Sequence, residues 1–315
     1  MDQIPVIDLK GLAGDDDERS RTMAKLHEAC RDWGFFWVEN HGVEAALMED
    51  VKRFVYAHYE DHLEKKFYAS DLAKNLNHAI AGDVSGEADW EATYFIQHRP
   101  KNTAASFPDI PAAARHALDA YIAQTISLAE LLADCISLNL GLHTAAAGAA
   151  VREAFAPPFV GTKFAMYPAC PRPELVWGLR AHTDAGGIIL LLQDDAVGGL
   201  EFLRVGGGGD GGEWVPVGPT KGGRMFVNIG DQVEVISGGA YRSVVHRVAA
   251  GTEGRRLSVA TFYNPGPDAV ISPATATVAA EYPGPYRYGD YLEYYQGTKF
   301  GDKDARFKAV KKLFG

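Results

Sequence analysis

The first 157 residues alternate between helical and strand-like patterns of apolar positions. Apolar residues spaced three and four apart predict amphipathic helices. These comprise Met23, Leu26, Cys30 and Trp33, followed by the stretches 44–68 and 113–140. Continuous apolar runs at 4–7 and 35–38 predict short buried strands. We expect this mixed region to brace the part of the chain that follows it.

The pattern changes after about residue 157, where short β-rich runs recur between Gly, Pro and Asp residues. The predicted strands are 188–192, 200–205, 214–217, 225–229, 233–236, 243–248 and 257–263. Many short strands at this spacing favour an α+β protein whose mainly β core is a double-stranded β-helix, or jelly roll, flanked by helices. Helical signals return at 288–295 and 305–313. We therefore predict three segments, at 1–157, 158–280 and 281–315.

One apparent dinucleotide-binding motif is set aside. Gly207, Gly209 and Gly212 match GxGxxG, but they lie between two predicted strands and open no helix, so the geometry that binds a pyrophosphate is missing. We interpret this segment as a hairpin tip.

Composition excludes several classes of protein. The chain has 315 residues, of which 47% are hydrophobic and 23% charged, and its net charge of -10 disfavours binding to nucleic acid. Three separated cysteines predict neither a disulfide framework nor a cysteine zinc site. The N-terminus lacks the pattern of a signal peptide, and we expect no apolar run of the roughly 20 residues that cross a membrane. These features predict a cytoplasmic protein, and the sequence shows no evident obligatory protein partner.

A candidate metal site comes from three residues. His182 and Asp184 are two apart, so on a strand their side chains would point to the same face. His246 lies on a later predicted strand and can reach them if the sheet folds back on itself, as in a jelly roll. An isolated His-x-Asp pair is more often structural, but two imidazoles and one carboxylate form the facial triad of non-haem Fe(II) oxygenases.

Ten residues after His246, a second pair adds a candidate anion site. Arg256 and Ser258 share one face of a predicted strand, where a guanidinium and a hydroxyl together can receive a carboxylate. A surface arginine beside a hairpin is the simpler interpretation of Arg256 alone. Its place after the third ligand and before an apolar run favours a site in the mouth of the barrel.

His-x-Asp, a distant His and Arg-x-Ser form the pattern of the isopenicillin N synthase-like Fe(II) oxygenase superfamily, and the chain resembles that superfamily over nearly its full length. Within it, the chain is most similar to the 1-aminocyclopropane-1-carboxylate (ACC) oxidases. The segments that carry this resemblance are 33–36, 40–42, 89–95, 161–163, 180–195, 228–232, 262–266 and 303–307.

The resemblance implies a role for each matching residue. His182, Asp184 and His246 would bind Fe(II), while Arg306 would close the site from a C-terminal helix. Arg256, Ser258, Lys163 and Tyr167 would receive a carboxylate, bicarbonate or ascorbate. Further positions that match the family's site are Thr162, Arg180, Ile189, Gln193, Asn228, Phe262 and Lys303.

The implied reaction is the last step of ethylene biosynthesis. ACC would be oxidised by O2 with ascorbate as the reductant and bicarbonate or CO2 as an activator, giving ethylene, cyanide and CO2. The chain departs from the family at Ala169, where a second proline is usual, and at Lys308, where an acidic residue often follows the C-terminal arginine. The second departure places a positive charge, instead of a negative one, near Arg306.

Two alternatives remain open from the sequence. A 2-oxoglutarate-dependent Fe(II) oxygenase of the same fold would act on a flavonoid or a hormone. Such enzymes often carry Asn two residues before the pocket tyrosine, where this chain has Ala165. A jelly roll that only binds a metal or senses a ligand is the other alternative, and an intact triad beside an intact anion pair disfavours it.

Overall fold

Two antiparallel sheets form the centre of the protein. The computed structural model describes residues 4–78, 88–142, 150–193, 195–204, 212–274 and 282–314. The strands are β1 Val6–Asp8, β2 Phe35–Glu39, β3 Ala92–Arg99, β4 Phe159–Tyr167, β5 Trp177–His182, β6 Ile188–Gln193, β7 Leu200–Arg204, β8 Glu213–Val217, β9 Met225–Ile229, β10 His246–Ala249, β11 Arg256–Asn264, β12 Val270–Ile271 and β13 Tyr286–Arg287.

The larger sheet has seven strands in the order β1-β2-β9-β6-β11-β4-β3, and the smaller has four in the order β5-β10-β7-β8. Only the β1–β2 pair is parallel among the pairs of these two sheets. Apolar side chains of both sheets pack together between them, including Phe35, Phe202 and Phe226. This sandwich of two sheets is the jelly roll predicted from the sequence.

Helices flank the two sheets, and some of them pack against the larger sheet. They are α1 Asp16–Asp32, α2 Ala45–His58, α3 Glu64–Tyr68, α4 Asp71–His78, α5 Ala112–Asn139, α6 Val151–Phe155, α7 Asp231–Ile236, α8 Tyr288–Thr298 and α9 Lys303–Phe314. The first of them begins at Asp15, whose side chain accepts from the Glu18 amide, and is followed by Gly34 at φ 73°. The predicted helix over 44–68 is interrupted by one π turn, Tyr59–Leu63.

β11 shows how the two faces of the larger sheet divide. Leu257 and Val259 pack into the core under the helices, while Arg256 and Ser258 alternate with them and face the space between the sheets. Period-two alternation therefore delivers polar groups to an interior that is apolar elsewhere. The predicted shared face of Arg256 and Ser258 is confirmed.

The structure corrects several local predictions. The run 233–236 is helical and belongs to α7, not to a strand. The predicted strand 243–248 begins only at His246, and β5 ends at His182, so Asp184 lies in a loop and not on the strand. The motif glycines Gly207 and Gly209 lie outside the described residues.

One expectation about membranes also needs correction. α5 is long and apolar enough to cross a bilayer by length and composition alone. However, 61% of its most apolar window is buried inside the protein. Its neighbours α1, α2 and α6 and the sheet cover this surface, which identifies α5 as a core helix.

Candidate metal centre

The three candidate ligands converge where the smaller sheet meets a loop. His182 ends β5, His246 begins β10, and the two are paired across these strands. The loop after β5 turns Asp184 toward both rings: its carboxylate oxygens lie 3.9 Å from His182 Nε2 and 3.6 Å from His246 Nε2. One ligand atom from each residue lies within 4.8 Å of the others. Three donors on one side of a point leave the other side open.

Backbone carbonyls set the tautomer of both histidines. His182 Nδ1 lies 2.8 Å from the Arg180 carbonyl, and His246 Nδ1 lies 3.2 Å from the Val244 carbonyl. Because a carbonyl oxygen only accepts, each Nδ1 carries the proton and each Nε2 presents a lone pair. Burial, the neighbouring His246 and Lys299 lower the pKa of His182 well below its usual value. The ring is therefore held in the neutral form that a metal requires.

A fourth polar side chain orients the carboxylate. Asn228 on β9 donates its amide to Asp184 Oδ2 at 2.8 Å. His246 is held from its other side by the Phe202 ring, which stacks on it at 4.7 Å between centroids. Two nitrogen lone pairs and one carboxylate, each fixed by a second contact, fit a divalent iron ion.

The loop that carries Asp184 is bound along its whole backbone. Its carbonyls accept hydrogen bonds from two side chains, those of Tyr295 and Gln232, and from the backbone amides of Gly230, Asp231 and Gln232. The five acceptors are the carbonyls of Thr183, Asp184, Ala185, Gly186 and Gly187. A loop with every carbonyl engaged has little freedom to move the ligand.

Gly230 is required by this close approach. A Cβ at Gly230 would lie 2.4 Å from the Gly186 carbonyl oxygen, a distance that no real side chain occupies. Glycine therefore lets the start of α7 lie directly against the ligand loop. This explains why the 228–232 segment accompanies the metal motif, although it contributes no ligand.

A cavity of about 350 Å³ opens beside the three ligands. Its wall is mostly apolar, with a few polar groups on one side. The lining residues beyond the ligands include Phe95, Phe159, Lys163, Tyr167, Leu179, Ile189, Leu191, Leu200, Phe202, Asn228, Val248, Arg256, Ser258, Ala260, Phe262, Tyr288, Leu292, Tyr295 and Lys299.

Three cations face this cavity. Arg256 donates to Gln193 Oε1 at 2.8 Å and its guanidinium lies 5.2 Å from the centre of the Tyr167 ring. Lys163 donates to Glu91 at 2.7 and 2.8 Å; burial works against its charge, but Tyr167 and Glu91 outweigh burial and raise its pKa. Lys299 follows α8, and burial together with the nearby Lys163 lowers its pKa.

Several of the residues predicted for the site line the cavity, and others do not. The cavity includes the triad, Arg256, Ser258, Lys163, Tyr167, Ile189, Asn228 and Phe262. Gln193 lies behind Arg256 as its acceptor. Thr162 is on the opposite face of β4, where its hydroxyl contacts His98 and Thr261.

Arg180, Lys303 and Arg306 also lie outside the cavity lining. Arg180 binds Asp89 through its backbone amide and its guanidinium. Its guanidinium carbon stacks 3.7 Å above the centre of the Phe300 ring. Lys303 and Arg306 reach other elements behind the ligand loop, through contacts described below.

Sequence reasoning missed Lys299 and Phe300. Both lie between the two C-terminal helices, at a point where the sequence shows only a lysine and an aromatic residue before Gly301. The one available signal was their position just before the 303–307 segment. Phe300 also meets His182 edge to face at 6.1 Å between centroids, so this connection reaches the metal centre.

Comparisons with known proteins agree with this site. The profile of the 2OG-Fe(II) oxygenase superfamily matches residues 156–265, and that of the non-haem dioxygenase N-terminal region matches residues 4–113. The chain is 49% identical to 1-aminocyclopropane-1-carboxylate oxidase 1 of Arabidopsis thaliana, covering 99% of this chain and 95% of that protein. It is 44% identical to the rice protein of the same name, covering 98% and 94%.

Solved structures show the same architecture. JOX2, crystallised with 2OG, Fe and JA, is 29% identical, with a TM-score of 0.75 over 99% of this chain and 89% of that one. The rice dioxygenase for auxin oxidation is 27% identical, with a TM-score of 0.74 over 99% and 100%. The chain therefore has the fold of these dioxygenases.

Proposed function

The chain belongs to the ACC oxidase family, and from this we infer that it oxidises 1-aminocyclopropane-1-carboxylate to ethylene. The observation that carries the inference is identity of 41–49% over nearly the full length to eight such oxidases. The intact His182, Asp184 and His246 set fits the Fe(II) that this family uses with ascorbate. Bicarbonate or CO2 as activator is part of the same proposal.

We assign the metal to His182, Asp184 and His246. When bound, Fe(II) supplies open positions for the substrate and for O2 and carries out the electron transfer. The protein's own contribution is to keep the His182 imidazole neutral, to turn Nε2 of both histidines toward the metal, to orient the carboxylate through Asn228, and to exclude water with the apolar wall. These contacts preorganise the centre before substrate arrives.

Charge within the cavity supports an amino-acid substrate. ACC carries one carboxylate and one amine on a small apolar ring. Arg256, Lys163 and Lys299 offer positive charge to a carboxylate or to ascorbate or bicarbonate, with Ser258 and Tyr167 beside them. The apolar wall on the other side, which includes Leu179 and Val248, suits the ring. We propose that these groups bind substrate and cosubstrates.

We also propose a cytoplasmic enzyme that needs no protein partner, with the three segments of the chain acting as one unit. The N-terminal segment supplies β1, β2 and β3 to the larger sheet, which supports the proposal that the segments form one folded unit. The C-terminal segment supplies α8 and α9, which pack beside the metal centre.

The function is tested by headspace gas analysis. Protein mixed with Fe(II), ascorbate, bicarbonate and ACC in air should release ethylene. His246→Ala should release none, because the two remaining ligands, His182 and Asp184, are too few to hold the metal. His41→Ala is the matched control, since His41 does not line the cavity and, among the described residues, its ring contacts the Gly223 carbonyl and the Val43 amide. Ethylene from the His246→Ala protein at the wild-type rate would refute the assignment of the centre.

A further inference from the structure

Two basic residues of α9 face two acidic residues of α7. Lys303 and Arg306 are three positions apart, and so are Asp231 and Glu234, so each pair shares one helix face. Arg306 is paired with Asp231 at 2.9 Å and Lys303 with Glu234 at 2.6 Å. Arg306 is 2% exposed and Asp231 fully buried. Neither basic residue lines the cavity among the described residues.

The Arg306 contacts lead to the loop of the first two ligands. Its Nη1 donates to Asp231 Oδ2 at 2.9 Å and to Thr183 Oγ1 at 3.2 Å. Thr183 stands between the two ligands His182 and Asp184. The backbone amide of Asp231 in turn donates to the Asp184 carbonyl at 2.8 Å. One guanidinium therefore holds the loop at two points.

Tyrosines of α8 reinforce the same connection. Tyr291 donates to Asp231 Oδ2 at 2.5 Å and Tyr295 donates to the Thr183 carbonyl at 2.6 Å. Arg306 Nη2 donates to the carbonyls of Thr298 and Lys299 at the end of α8. The arginine thus ties the end of α8 to the metal loop.

Lys303 leads to the third ligand. Its Nζ donates to Glu234 Oε2 at 2.6 Å and to the Ser243 carbonyl at 2.7 Å. The Ser243 amide donates to the same Glu234 oxygen at 2.5 Å. Ser243 is three residues before His246, so the lysine holds the chain segment that delivers this histidine to the centre.

We propose that Arg306 and Lys303 are positioning residues that set the distance between the His182–Asp184 loop and the His246 segment, without touching substrate. Both act through α7, which each reaches by a buried carboxylate. Removing either cation would leave that carboxylate buried without its partner, a strong driving force for local rearrangement. The inference rests on the metal centre of the proposed function and adds the device that holds its geometry.

The test measures the metal centre and the substrate separately. We would make Arg306→Lys, which keeps the positive charge but loses the planar guanidinium, and Lys303→Met, which keeps most of the aliphatic chain but loses the charge. Lys308→Met is the matched control, because Lys308 is exposed on the same helix. Each protein is titrated with Fe(II) under anaerobic conditions, and the Co(II)-loaded form is examined by visible absorption. Then kcat and KM for ACC are measured at saturating Fe(II).

Arg306→Lys and Lys303→Met should weaken Fe(II) binding about 10- to 100-fold, the usual effect of losing a contact that orients a ligand. Their Co(II) spectra should change. KM for ACC should stay within about twofold of the wild-type value, because neither residue lines the cavity and the contacts that bind the substrate are unchanged. Lys303→Arg should restore affinity. Lys308→Met should match the wild type.

Two results would overturn the proposal. A raised KM with unchanged metal affinity would make these residues substrate ligands, and a lower Tm with unchanged metal affinity and spectrum would make them merely structural. If Arg306→Lys fails to fold, Lys303→Met alone decides, since its side chain is partly exposed. A wild-type protein that binds no Fe(II) would instead refute the centre itself.

Discussion

At the residue scale, the cavity combines three cations that the sequence distributes over three distant segments. Lys163 is on β4, Arg256 on β11 and Lys299 after α8. Arg256 and Lys163 were predicted because a motif or the family pattern marks them. Lys299 was not, because a single lysine near a helix end is usually solvated, and only the fold of the C-terminal helices turns it inward.

The partial burial of Lys299 leads to a prediction about binding. Lys299→Met should raise KM for ACC or for ascorbate about tenfold, since a charge-assisted hydrogen bond contributes about 1.5 kcal/mol. The wild-type KM should also rise with pH through a value below the usual lysine range, because burial and Lys163 lower the pKa of Lys299. Steady-state kinetics over pH measure both effects.

Lys299→Arg should keep KM low and move its rise to higher pH, since a guanidinium stays charged. Lys221→Met is the control, because Lys221 is exposed and does not line the cavity. An unchanged KM for both ACC and ascorbate in Lys299→Met would remove this lysine from the site.

At the element scale, α7 shows why one local prediction was wrong. The run 233–236 is apolar and β-branched, and periodicity alone does not separate a buried strand from a short buried helix. Contacts with another part of the chain decide that this run is helical. The first amides of a helix lack partners within it, and here Asp231 and Gln232 donate theirs to the carbonyls of Asp184 and Gly186. Tertiary hydrogen bonds override the local propensity.

The same reasoning separates the predictable strands from the others. β9 and β11 have apolar runs bounded by polar or turn residues, and their predicted bounds agree with the structure to within a residue. β3 and β5 alternate little in polarity, so the pattern of apolar positions gives them no comparable signal. The His182–Asp184 spacing identified two residues that do lie together, but the reason given, a shared strand face, is not what places them. The strand ends at His182, and hydrogen bonds to the following loop turn Asp184 toward the two histidines.

The pairing of β3 with β4 leads to a prediction about pH. His98 on β3 contacts the Thr162 hydroxyl at 3.0 Å, and burial lowers its pKa from 6.5 to about 4. The unfolded chain therefore binds more protons than the folded chain between these two pH values. The free energy of unfolding should fall as pH decreases from 6.5 to 4, by about 3 kcal/mol at most from this residue.

Urea denaturation of the metal-free protein between pH 7 and pH 4.5 measures this loss. In His98→Gln, the free energy of unfolding should depend less steeply on pH, with a slope lower by the equivalent of up to one bound proton. The reason is that glutamine retains a hydrogen-bonding group and does not titrate. His116→Gln serves as control, since His116 is exposed on α5. The same slope in His98→Gln and in the wild type would show that His98 is not the group responsible.

At the scale of the whole molecule, a repeating pattern of short strands was enough to predict the jelly roll, and its motifs were enough to place the metal in it. The sequence did not reveal that β1, β2 and β3 extend the larger sheet on both edges, since pairing between distant segments leaves no periodic signal. Nor did it reveal that the final helix reaches the metal loop through the buried ion pair of Arg306 with Asp231. Both depend on contacts between segments that are far apart in the chain.

The arrangement of charges in the cavity leads to a prediction about which of two cosubstrates the protein uses. A 2-oxoglutarate enzyme of this fold would use the arginine for the far carboxylate of the keto acid. In this chain Arg256 already donates to Gln193 and packs on Tyr167, and the cavity of about 350 Å³ holds two more cations beside it.

ACC and a keto acid would compete for the same charges and the same open metal positions, so one protein should use only one of them. We expect ethylene from ACC with ascorbate as the sole reductant, ascorbate consumed in step with ethylene, and 2-oxoglutarate either inert or a weak inhibitor. Gas chromatography of the headspace and an assay for succinate in the same vial measure both products. Succinate formed in proportion to the substrate oxidised, with no ethylene from ACC, would instead assign the cavity to 2-oxoglutarate, and the iron centre described above would serve that reaction unchanged.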